Sequence, residues 1–292
     1  MKRLSILLVI ILLSIGLAGC GATVPPEQSN EVSGQGLFTG ALRVHFLDVG
    51  QGDCILVQFP NGRNMLVDAG KNDSAGTIMD YLKARGIAKL DYLVGTHPHE
   101  DHIGSLDTVI QKIPVGEILL PKVTTNTRTY RELLEAIAGK GMQVTTAKAG
   151  VNILEEEGLS VKVLAPLGSS YEELNNYSAV IKITYREASF LLEGDAEAES
   201  EKELLANGAD LRSDVLKVGH HGSNSSTSPA FLSAVKPKYA VISLGVDNEY
   251  HHPHPTTLAK LKKAGTELYR TDEKGTIVFT TDGKDIKVET VK

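Results

Sequence analysis

Three histidines and an aspartate fall within six positions, in the segment His97-Pro98-His99-Glu100-Asp101-His102. The segment follows an apolar run, so we expect a loop that leaves a buried strand. With nine histidines in the chain, a chance cluster of this kind is on the order of one in a thousand. Imidazole and carboxylate suit Zn²⁺, with Mn²⁺ or iron also compatible, whereas a polar loop ahead of a helix cap requires no imidazole. The spacing predicts that His97 and His99 bind one ion and that Asp101 and His102 face a second.

The N-terminus has the layout of an export signal. Residues 1–3 carry two basic side chains, and residues 4–17 form an apolar run that is short for a membrane span. The segment Leu17-Ala18-Gly19-Cys20 resembles the lipobox of bacterial lipoproteins, in which the cysteine is lipidated. We therefore predict a signal peptide over residues 1–19 and an extracytoplasmic protein held at the cell membrane by lipid on Cys20. An uncleaved membrane anchor is the alternative.

The remainder of the chain divides into a tether and one domain. Residues 20–41 are rich in Gly, Pro, Gln, Ser and Asn, which predicts a flexible tether. From residue 42 onward, short apolar strands alternate with helical patterns, and no second linker interrupts them. The sequence thus predicts one domain over residues 42–292, with two sheets, helices outside them and ligands in the loops. Cys54 lies in an apolar run and is expected to be a buried thiol.

Charge and composition limit the partners of the domain. The formal charge is −6, and it becomes about −8 once the two basic side chains of residues 1–19 are removed. This balance argues against a broad basic surface that grips duplex DNA through its phosphates. The chain has no Trp and 5% aromatic residues, fewer than proteins that stack many bases usually carry. A small basic groove is still compatible with this composition.

Several segments together carry a resemblance to a known family. The pattern His97-x-His99-x-Asp101-His102 resembles the metal motif of the metallo-β-lactamase superfamily. Five further segments are similar to the metallo-hydrolase domain of ComEC-type DNA-uptake proteins, namely residues 48–53 (DVGQGD), 67–70 (VDAG), 192–195 (LEGD), 216–223 (LKVGHHGS) and 250–255 (YHHPHP). The resemblance runs over residues 42–288 and does not include the membrane-channel part of those proteins. It implies an α+β fold, an αββα four-layer sandwich in a single domain, and a metal-dependent hydrolase.

The resemblance also implies the other metal ligands. Two divalent ions, Zn²⁺ or Mn²⁺, would share the carboxylate of Asp195. One of His220 and His221 would complete the second site, and since the sequence does not say which, both are candidate metal ligands. Asp68 is expected to accept an N–H from a ligand histidine and to fix that ring. Many relatives have a further histidine ahead of the shared aspartate, whereas this chain has none between His102 and His220, so we expect the first site to be the weaker.

Other polar residues are candidates for contact with substrate. Asn176 and Ser178 lie in a segment similar to an Asn-rich stretch of ComEC-type proteins, and Ser223 follows the histidine pair. Plain loops are the alternative for all three. His252 and His254 precede a predicted helix, whose N-terminus could hold an anion. The resemblance implies that one of these two histidines reaches the phosphate or protonates the leaving group. The candidate catalytic residues are thus Asp68, Asp195, His252 and His254.

Three functions fit these expectations. The first is a phosphodiesterase that acts through metal-activated water, most directly a nuclease on DNA at the cell surface, with single strands preferred. The second is a phosphodiesterase of the cell wall, such as a phosphorylcholine or teichoic-acid esterase, which the acidic balance favours. The third is a non-catalytic surface receptor for DNA or wall polymer, against which the complete second metal site argues. The ComEC-like motifs argue against a β-lactamase.

Overall fold

Two mixed sheets lie face to face in residues 40–292, the part of the chain that the computed structural model describes. The predicted signal peptide, Cys20 and nearly all of the predicted tether (20–41) lie outside these residues. The strands are β1 (Leu42–Phe46), β2 (Ile55–Gln58), β3 (Asn64–Val67), β4 (Leu90–Val94), β5 (Val115–Leu120), β6 (Val144–Thr146), β7 (Asn152–Glu156), β8 (Leu159–Ala165), β9 (Val180–Tyr185), β10 (Ala188–Leu192), β11 (Val215–Lys217), β12 (Tyr239–Ile242), β13 (Glu267–Arg270), β14 (Thr276–Thr281) and β15 (Ile286–Val291). The first sheet has the order β15-β14-β1-β2-β3-β4-β5-β6, and the second has the order β13-β12-β11-β10-β9-β8-β7.

Helices cover the outer face of each sheet. They are α1 (Ala75–Ala84), α2 (Glu100–Ile103), α3 (Leu106–Lys112), α4 (Arg128–Gly139), α5 (Ala198–Ala206), α6 (Pro229–Val235), α7 (Pro255–Lys263) and α8 (Thr271–Lys274). The four helices α1 to α4 follow strands of the first sheet, and α5 to α7 follow strands of the second. Among the described residues, no helix is long and apolar enough to cross a membrane.

The alternation of side chains along the strands produces three apolar layers. In β2, Ile55 packs between the sheets while Leu56 faces the helices of the first sheet. In β9, Ile181 packs between the sheets while Val180 faces the helices of the second sheet. Strands buried on both faces are mostly apolar, and in these two Lys182, Thr184 and Gln58 are the polar exceptions. The predicted αββα four-layer sandwich is therefore confirmed, and Cys54 is buried as expected.

The structure differs from the sequence pattern in its shortest elements. Residues 100–112 form two separate helices, α2 and α3, with Gly104 and Ser105 between them. A Cβ on Gly104 would lie 2.3 Å from the backbone carbonyl carbon of Lys71, so the chain approaches itself closely at this break. The strands β6, β7 and β13 are the least evident from the sequence. Each lies at or next to a sheet edge, where a short strand leaves little apolar pattern.

The polar loops all lie at one edge of the sandwich. The strands β3 to β5 run parallel in the first sheet, and β10 to β13 run parallel in the second. Asp68 follows β3, the histidine segment follows β4, Asp195 follows β10 and the histidine pair follows β11. Because the carboxyl ends of parallel strands meet at one edge, residues far apart in the chain are brought to one place.

Candidate metal centre

Four imidazole rings converge on one oxygen of Asp195. The Nε2 atom of His102 lies 3.2 Å from Asp195 Oδ2, and that of His221 lies 3.5 Å from it. The Nε2 atoms of His97 and His220 are each 3.9 Å from the same oxygen. Asp195 is 2% exposed, and its other oxygen, Oδ1, is buried without a hydrogen-bond partner. The structure therefore gathers donors from both sheets around one carboxylate.

Asp101, His102 and His221 together with Asp195 form a group that we refer to as the second site. The two Nε2 atoms of His102 and His221 are 3.2 Å apart, and His221 Nε2 is 3.2 Å from Asp101 Oδ2. Donors about 2.1 Å from a tetrahedrally bound Zn²⁺ would be about 3.4 Å from one another. The spacing of these side chains matches that requirement.

The hydrogen bonds behind these two rings explain why a cation fits between them. The Nδ1 atom of His102 is 2.8 Å from Asp68 Oδ2, and that of His221 is 2.8 Å from the carbonyl oxygen of Ser243. If each Nδ1 carries the proton and donates it backward, each Nε2 presents a lone pair to the other ring and to Asp195. Lone pairs and a carboxylate at this distance repel one another unless a cation lies among them. The donor set thus fits a divalent metal ion.

His97, His99 and Asp195 form what we refer to as the first site. His97 Nε2 lies 3.0 Å from His99 Nδ1 and 3.9 Å from Asp195 Oδ2. His97 is fully buried, and its Nδ1 lies 3.1 Å from the hydroxyl of Thr96. The ring of His99 borders solvent, and His97 is its hydrogen-bond partner among the described side chains. The first site therefore has three donor side chains, compared with four in the second site, and fewer hydrogen bonds hold its rings in place.

The structure gives the two neighbouring histidines, His220 and His221, different positions. His221 is 1% exposed and lies in the second site, whereas the side chain of His220 is 25% exposed. The Nδ1 atom of His220 lies 3.2 Å from Glu197 Oε1 and 3.1 Å from Ser225 Oγ. Both histidines have left-handed backbones, with φ of 46° and 51°, which turns adjacent side chains toward one centre. His221 is thus the donor to the second site, and His220 faces the cleft beside it.

Asp68 has the surroundings that its expected role requires. Besides His102 Nδ1, it accepts hydrogen bonds from the backbone N–H of Thr96 and from its hydroxyl, both at 2.7 Å. Asp68 is fully buried and has a left-handed backbone, with φ of 58°. It fixes the ring of His102 and does not reach the cleft.

Sequence reasoning gave no role to a second buried carboxylate, Asp53. Its Oδ2 lies 3.0 Å from Lys217 Nζ, and both residues are at most 1% exposed. Its Oδ1 lies 3.5 Å from His221 Nδ1 and has no hydrogen-bond partner. The backbone N–H of Asp53 donates to the carbonyl of Asp101, so this pair lies directly behind the second site. The signal in the sequence was a lysine inside an apolar strand, since such a residue is rarely buried without a partner.

The three predicted substrate contacts lie behind the donors. Ser178 Oγ accepts from the backbone N–H of Asp195 at 3.0 Å, and Ser178 is fully buried. Asn176 Oδ1 accepts from the backbone N–H of Glu197 at 3.1 Å, and Asn176 is 2% exposed. Ser223 is 5% exposed, and its hydroxyl lies 3.0 Å from that of Ser225. These groups hold the metal-site loops in place, and contact with substrate stays a prediction.

The two histidines of the Pro-containing loop, His252 and His254, also differ in position. His252 lines the cleft, and its Nδ1 is buried without a partner. Burial and the nearby His220 lower the pKa of His252 to about 4, so its ring is neutral at pH 7. His254 precedes α7, and its Nδ1 accepts from the backbone N–H of Asn224 at 2.9 Å. Of the pair, His252 is the one that faces the cleft.

Charges in the centre move the pKa values of its rings in opposite directions when no metal is bound. Burial lowers the pKa of His102, but the carboxylates of Asp195 and Asp101 outweigh burial and hold it well above the usual value. The same balance raises the pKa of His221 to about 10. Burial and the neighbouring ring of His102 hold the pKa of His97 well below the usual value. In the metal-free protein, the second site therefore retains protons that an incoming cation must displace.

An open cleft of about 360 Å³ gives access to the centre. It is lined by Gln51, Lys71, His99, Glu100, Asp101, Asp195, His220, His221, Glu249, Tyr250 and His252. A neighbouring hollow of about 630 Å³ shares His99 and Glu100 with it and adds two further carboxylates, Asp107 and Glu132. Gln51 and Tyr250 lie in two of the segments that carry the resemblance but were given no role from the sequence, and Glu249 lies outside those segments.

Comparison with known proteins finds similarity to one family, the one that the sequence motifs resemble, over most of the chain. A family model described as the metallo-β-lactamase superfamily matches residues 47–246. The ComE operon protein 3 of Bacillus subtilis (strain 168) is 33% identical over 253 residues, which is 81% of this chain and 32% of that protein. The competence protein ComA of Neisseria gonorrhoeae is 32% identical over 249 residues, which is 84% of this chain and 33% of that protein. The chain spans about a third of the length of these relatives.

Solved structures agree at the level of the fold. CmlA, a diiron β-hydroxylase from Streptomyces venezuelae, has a TM-score of 0.53 and 15% sequence identity, covering 86% of this chain and 54% of that one. At this identity the likeness concerns the fold alone.

Proposed function

The chain belongs to the metallo-β-lactamase superfamily, and from that premise we propose that it is a metal-dependent phosphodiesterase that cleaves DNA, single strands in preference to duplex. The observation that carries the proposal is the convergence of the Nε2 atoms of His97, His102 and His221 on Asp195 Oδ2, beside an open cleft that His220 also lines. This donor set suits two divalent ions, Zn²⁺ or Mn²⁺. Hydrolysis at such a site does not require a serine or cysteine nucleophile, because a water molecule activated by the metal ions can attack the substrate.

The chain's own residues have separable tasks in this proposal. Two bound ions would supply Lewis acidity and lower the pKa of a water molecule. Asp195 spans both sites, so its carboxylate fixes their separation. Asp68 keeps the Nε2 lone pair of His102 directed into the second site. His220, oriented by Glu197 through Nδ1, presents Nε2 to the cleft, and His252, whose ring is neutral at pH 7, is better placed than His254 to reach the phosphate of the substrate.

Two considerations support DNA as the substrate. Relatives that cover most of this chain carry names that refer to competence, and the sequence motifs resemble ComEC-type DNA-uptake proteins. The acidic balance of the chain disfavours a surface that surrounds a duplex, whereas a flexible strand can enter one local cleft. Lys71 lines that cleft and offers a positive charge to a phosphate.

One observation favours a second candidate, an esterase of phosphorylcholine or teichoic acid in the cell wall. The hollow next to the centre is bordered by the carboxylates of Glu100, Asp107 and Glu132, with Arg128 as its basic residue. Such a surface attracts a substrate that carries a cationic group beside its phosphodiester and repels a second phosphate.

The experiment that tests the proposal is a hydrolysis panel with purified mature protein, loaded with Mn²⁺ or Zn²⁺. The substrates are single-stranded DNA, duplex DNA, bis-p-nitrophenyl phosphate, p-nitrophenyl phosphorylcholine and nitrocefin, each with wild type and Asp195→Ala side by side. We expect Asp195-dependent cleavage of single-stranded DNA above that of duplex. Turnover of the choline ester with none of DNA would replace the nuclease by the wall esterase. No Asp195-dependent turnover of any substrate would favour a non-catalytic receptor.

The proposed site of action is the outer face of the cell membrane, with lipid on Cys20 as the anchor. The lipobox-like segment at residues 17–20 supports this location. Membrane fractionation should find Cys20→Ala either released into the medium or unprocessed. A variant that is processed and retained like the wild type would rule out this anchor.

A further inference from the structure

A row of nearly parallel rings leads from the metal centre to the solvent. The ring of His252 lies 6.4 Å from that of His221, with an angle of 29° between the planes. Tyr250 continues the row, 5.7 Å from His252 and at 26°. His221 is 1% exposed, whereas Tyr250 is 51% exposed. The last ring of the row therefore has one face packed on His252 and the other free at the border of the cleft.

The loop that carries Tyr250 is braced by Asn248. Its Nδ2 donates to the carbonyl oxygens of Gly245 and His252, at 3.1 Å and 2.7 Å. Its Oδ1 accepts from the backbone N–H of His252 at 2.9 Å. These bonds close the loop, so the position of Tyr250 is set before any ligand arrives. A ring held in place loses little conformational entropy when a ligand packs on it.

The charges around this ring disfavour a second phosphate. Glu100 and Glu249 border the same cleft, and burial together with the carboxylates of Asp101, Glu249 and Glu100 raises the pKa of Tyr250. A second phosphate in this part of the cleft would meet like charge. A flat, uncharged heterocycle would meet none and would gain the stacking energy of an aromatic pair.

We propose that the free face of Tyr250 is a stacking subsite for the nucleobase next to the phosphate that is cleaved. This inference rests on the proposed function, and it adds the part of the substrate that the centre itself does not contact. A quaternary ammonium group is the competing ligand, but it is bound best by several rings that surround it. Among the described residues Tyr250 makes one ring contact, with His252, and it is the one tyrosine of the cleft lining.

The first test compares three variants on single-stranded DNA. Tyr250→Ala should raise KM about tenfold or more while kcat changes little, because stacking on an aromatic side chain contributes to binding of the base. Tyr250→Phe keeps the ring and should retain the wild-type KM. Val246→Ala is the control, since Val246 is exposed in the same loop but does not line the cleft.

A second test removes the nucleobase from the substrate and leaves the ring of Tyr250 in the protein. An oligonucleotide with a single cleavable phosphate is prepared with an abasic residue on one side of it or on the other. For wild type, one of the two abasic positions should raise KM by the same factor as Tyr250→Ala. For Tyr250→Ala that abasic substitution should have no further effect, since the two changes remove the same contact.

A third test does not depend on cleavage. The chain has no Trp, so Tyr250→Trp introduces a single indole whose fluorescence reports on the proposed subsite. Addition of a methylphosphonate-protected single strand should quench this fluorescence, and an abasic strand of the same length should quench it less.

The outcomes separate this inference from the proposed function. If wild type cleaves no DNA, the proposed function fails, while quenching by the protected strand still supports a base-binding subsite. If DNA is cleaved and Tyr250→Ala has the wild-type KM, the subsite is wrong and the nuclease stands. If Tyr250→Ala impairs only p-nitrophenyl phosphorylcholine, the ring binds a cation. Absence of quenching overturns the inference in every case.

Discussion

The donors around His102 and His221 are held much more firmly than those around His97 and His99. In the second site both rings are at most 1% exposed, and each Nδ1 has an oxygen 2.8 Å behind it. In the first site His99 borders the cleft, and its ring bonds only to His97 among the described residues. From this comparison we expect a division of labour, in which the second site would retain an ion and the first would leave room for substrate beside its ion.

The largest expected effect comes from changing Asp195, the residue that the two sites share, because this change should affect both sites at once. Asp195→Asn keeps the volume of the side chain but removes the bridging charge, so both ions should be lost and hydrolysis should fall to background. Elemental analysis of the dialysed protein measures this loss. The matched control is Asp285→Asn, which should retain both ions; Asp285 is exposed in the turn between β14 and β15, which contacts the β9–β10 turn at the end of β10 opposite to Asp195. Retention of two ions by Asp195→Asn would show that this residue does not bridge them.

Removal of one donor from each site should sharpen the difference. His99→Ala should keep one firmly held ion after dialysis, because the four donors of the second site remain. His221→Ala should lose the firmly held ion and keep at most a weakly bound one. His220→Ala, whose ring faces the cleft, should keep the metal content of the wild type. Equal losses from His99→Ala and His221→Ala would mean that the two sites do not differ in strength.

A smaller effect is expected from the buried pair of Asp53 and Lys217. Either single change leaves an unpaired buried group and should lower the melting temperature strongly. The double variant Asp53→Asn with Lys217→Met removes both charges and should recover most of that stability. If Asp53 also positions His221, the double variant should still bind the second ion about 10–100-fold more weakly. Wild-type metal affinity in the double variant would mean that Asp53 serves only to neutralise Lys217.

The matched control for that cycle is an exposed ion pair of the same chemistry. Lys162 and Glu155 are 3.2 Å apart, with 47% and 55% of their side chains exposed. The double variant Glu155→Gln with Lys162→Met should change neither metal affinity nor melting temperature measurably, because exposed pairs contribute about 0–1 kcal/mol.

The smallest expected effect concerns protons released when metal binds. The pKa of His102 and of His221 is raised, so these rings carry protons at pH 7 in the metal-free protein and must lose them to bind an ion. The pKa of His97 is lowered, so that ring is already neutral. Affinity for the second ion should therefore fall more steeply than affinity for the first as pH decreases. Calorimetry in buffers of different ionisation enthalpy, with His99→Ala and His221→Ala, measures the two proton counts, and equal counts would contradict the assignment.

The donors themselves were largely accessible to sequence reasoning. His97, His99, Asp101 and His102 lie in one short segment, so their proximity is a local property of the chain. Asp195 follows a strand at a Gly, and only the resemblance distinguished it from an ordinary turn residue. The pattern of apolar strands and helices predicted two sheets with helices outside them, whereas the αββα four-layer sandwich was implied by the family resemblance.

The supports behind the donors were not accessible, because they depend on contacts across the two sheets. Lys217 and Asp53 are far apart in the chain, and neither residue type indicates by itself that it lies beneath a metal site. The choice between His220 and His221 depends on two consecutive left-handed backbones, which no propensity predicts for histidine. Ser178 lies in a motif segment, but the sequence does not show that its hydroxyl bonds the backbone N–H of Asp195.

The distance along the chain between the donors determines when a centre of this kind can exist. His102 and His221 are separated by 119 positions, although their Nε2 atoms are 3.2 Å apart. A nascent chain that has emerged only as far as β10 already contains the whole histidine segment, yet it has no place to hold an ion firmly. Proteolytic fragments of either half are in the same position. The second site therefore cannot assemble before the chain has emerged at least as far as His221 and both sheets have folded around it.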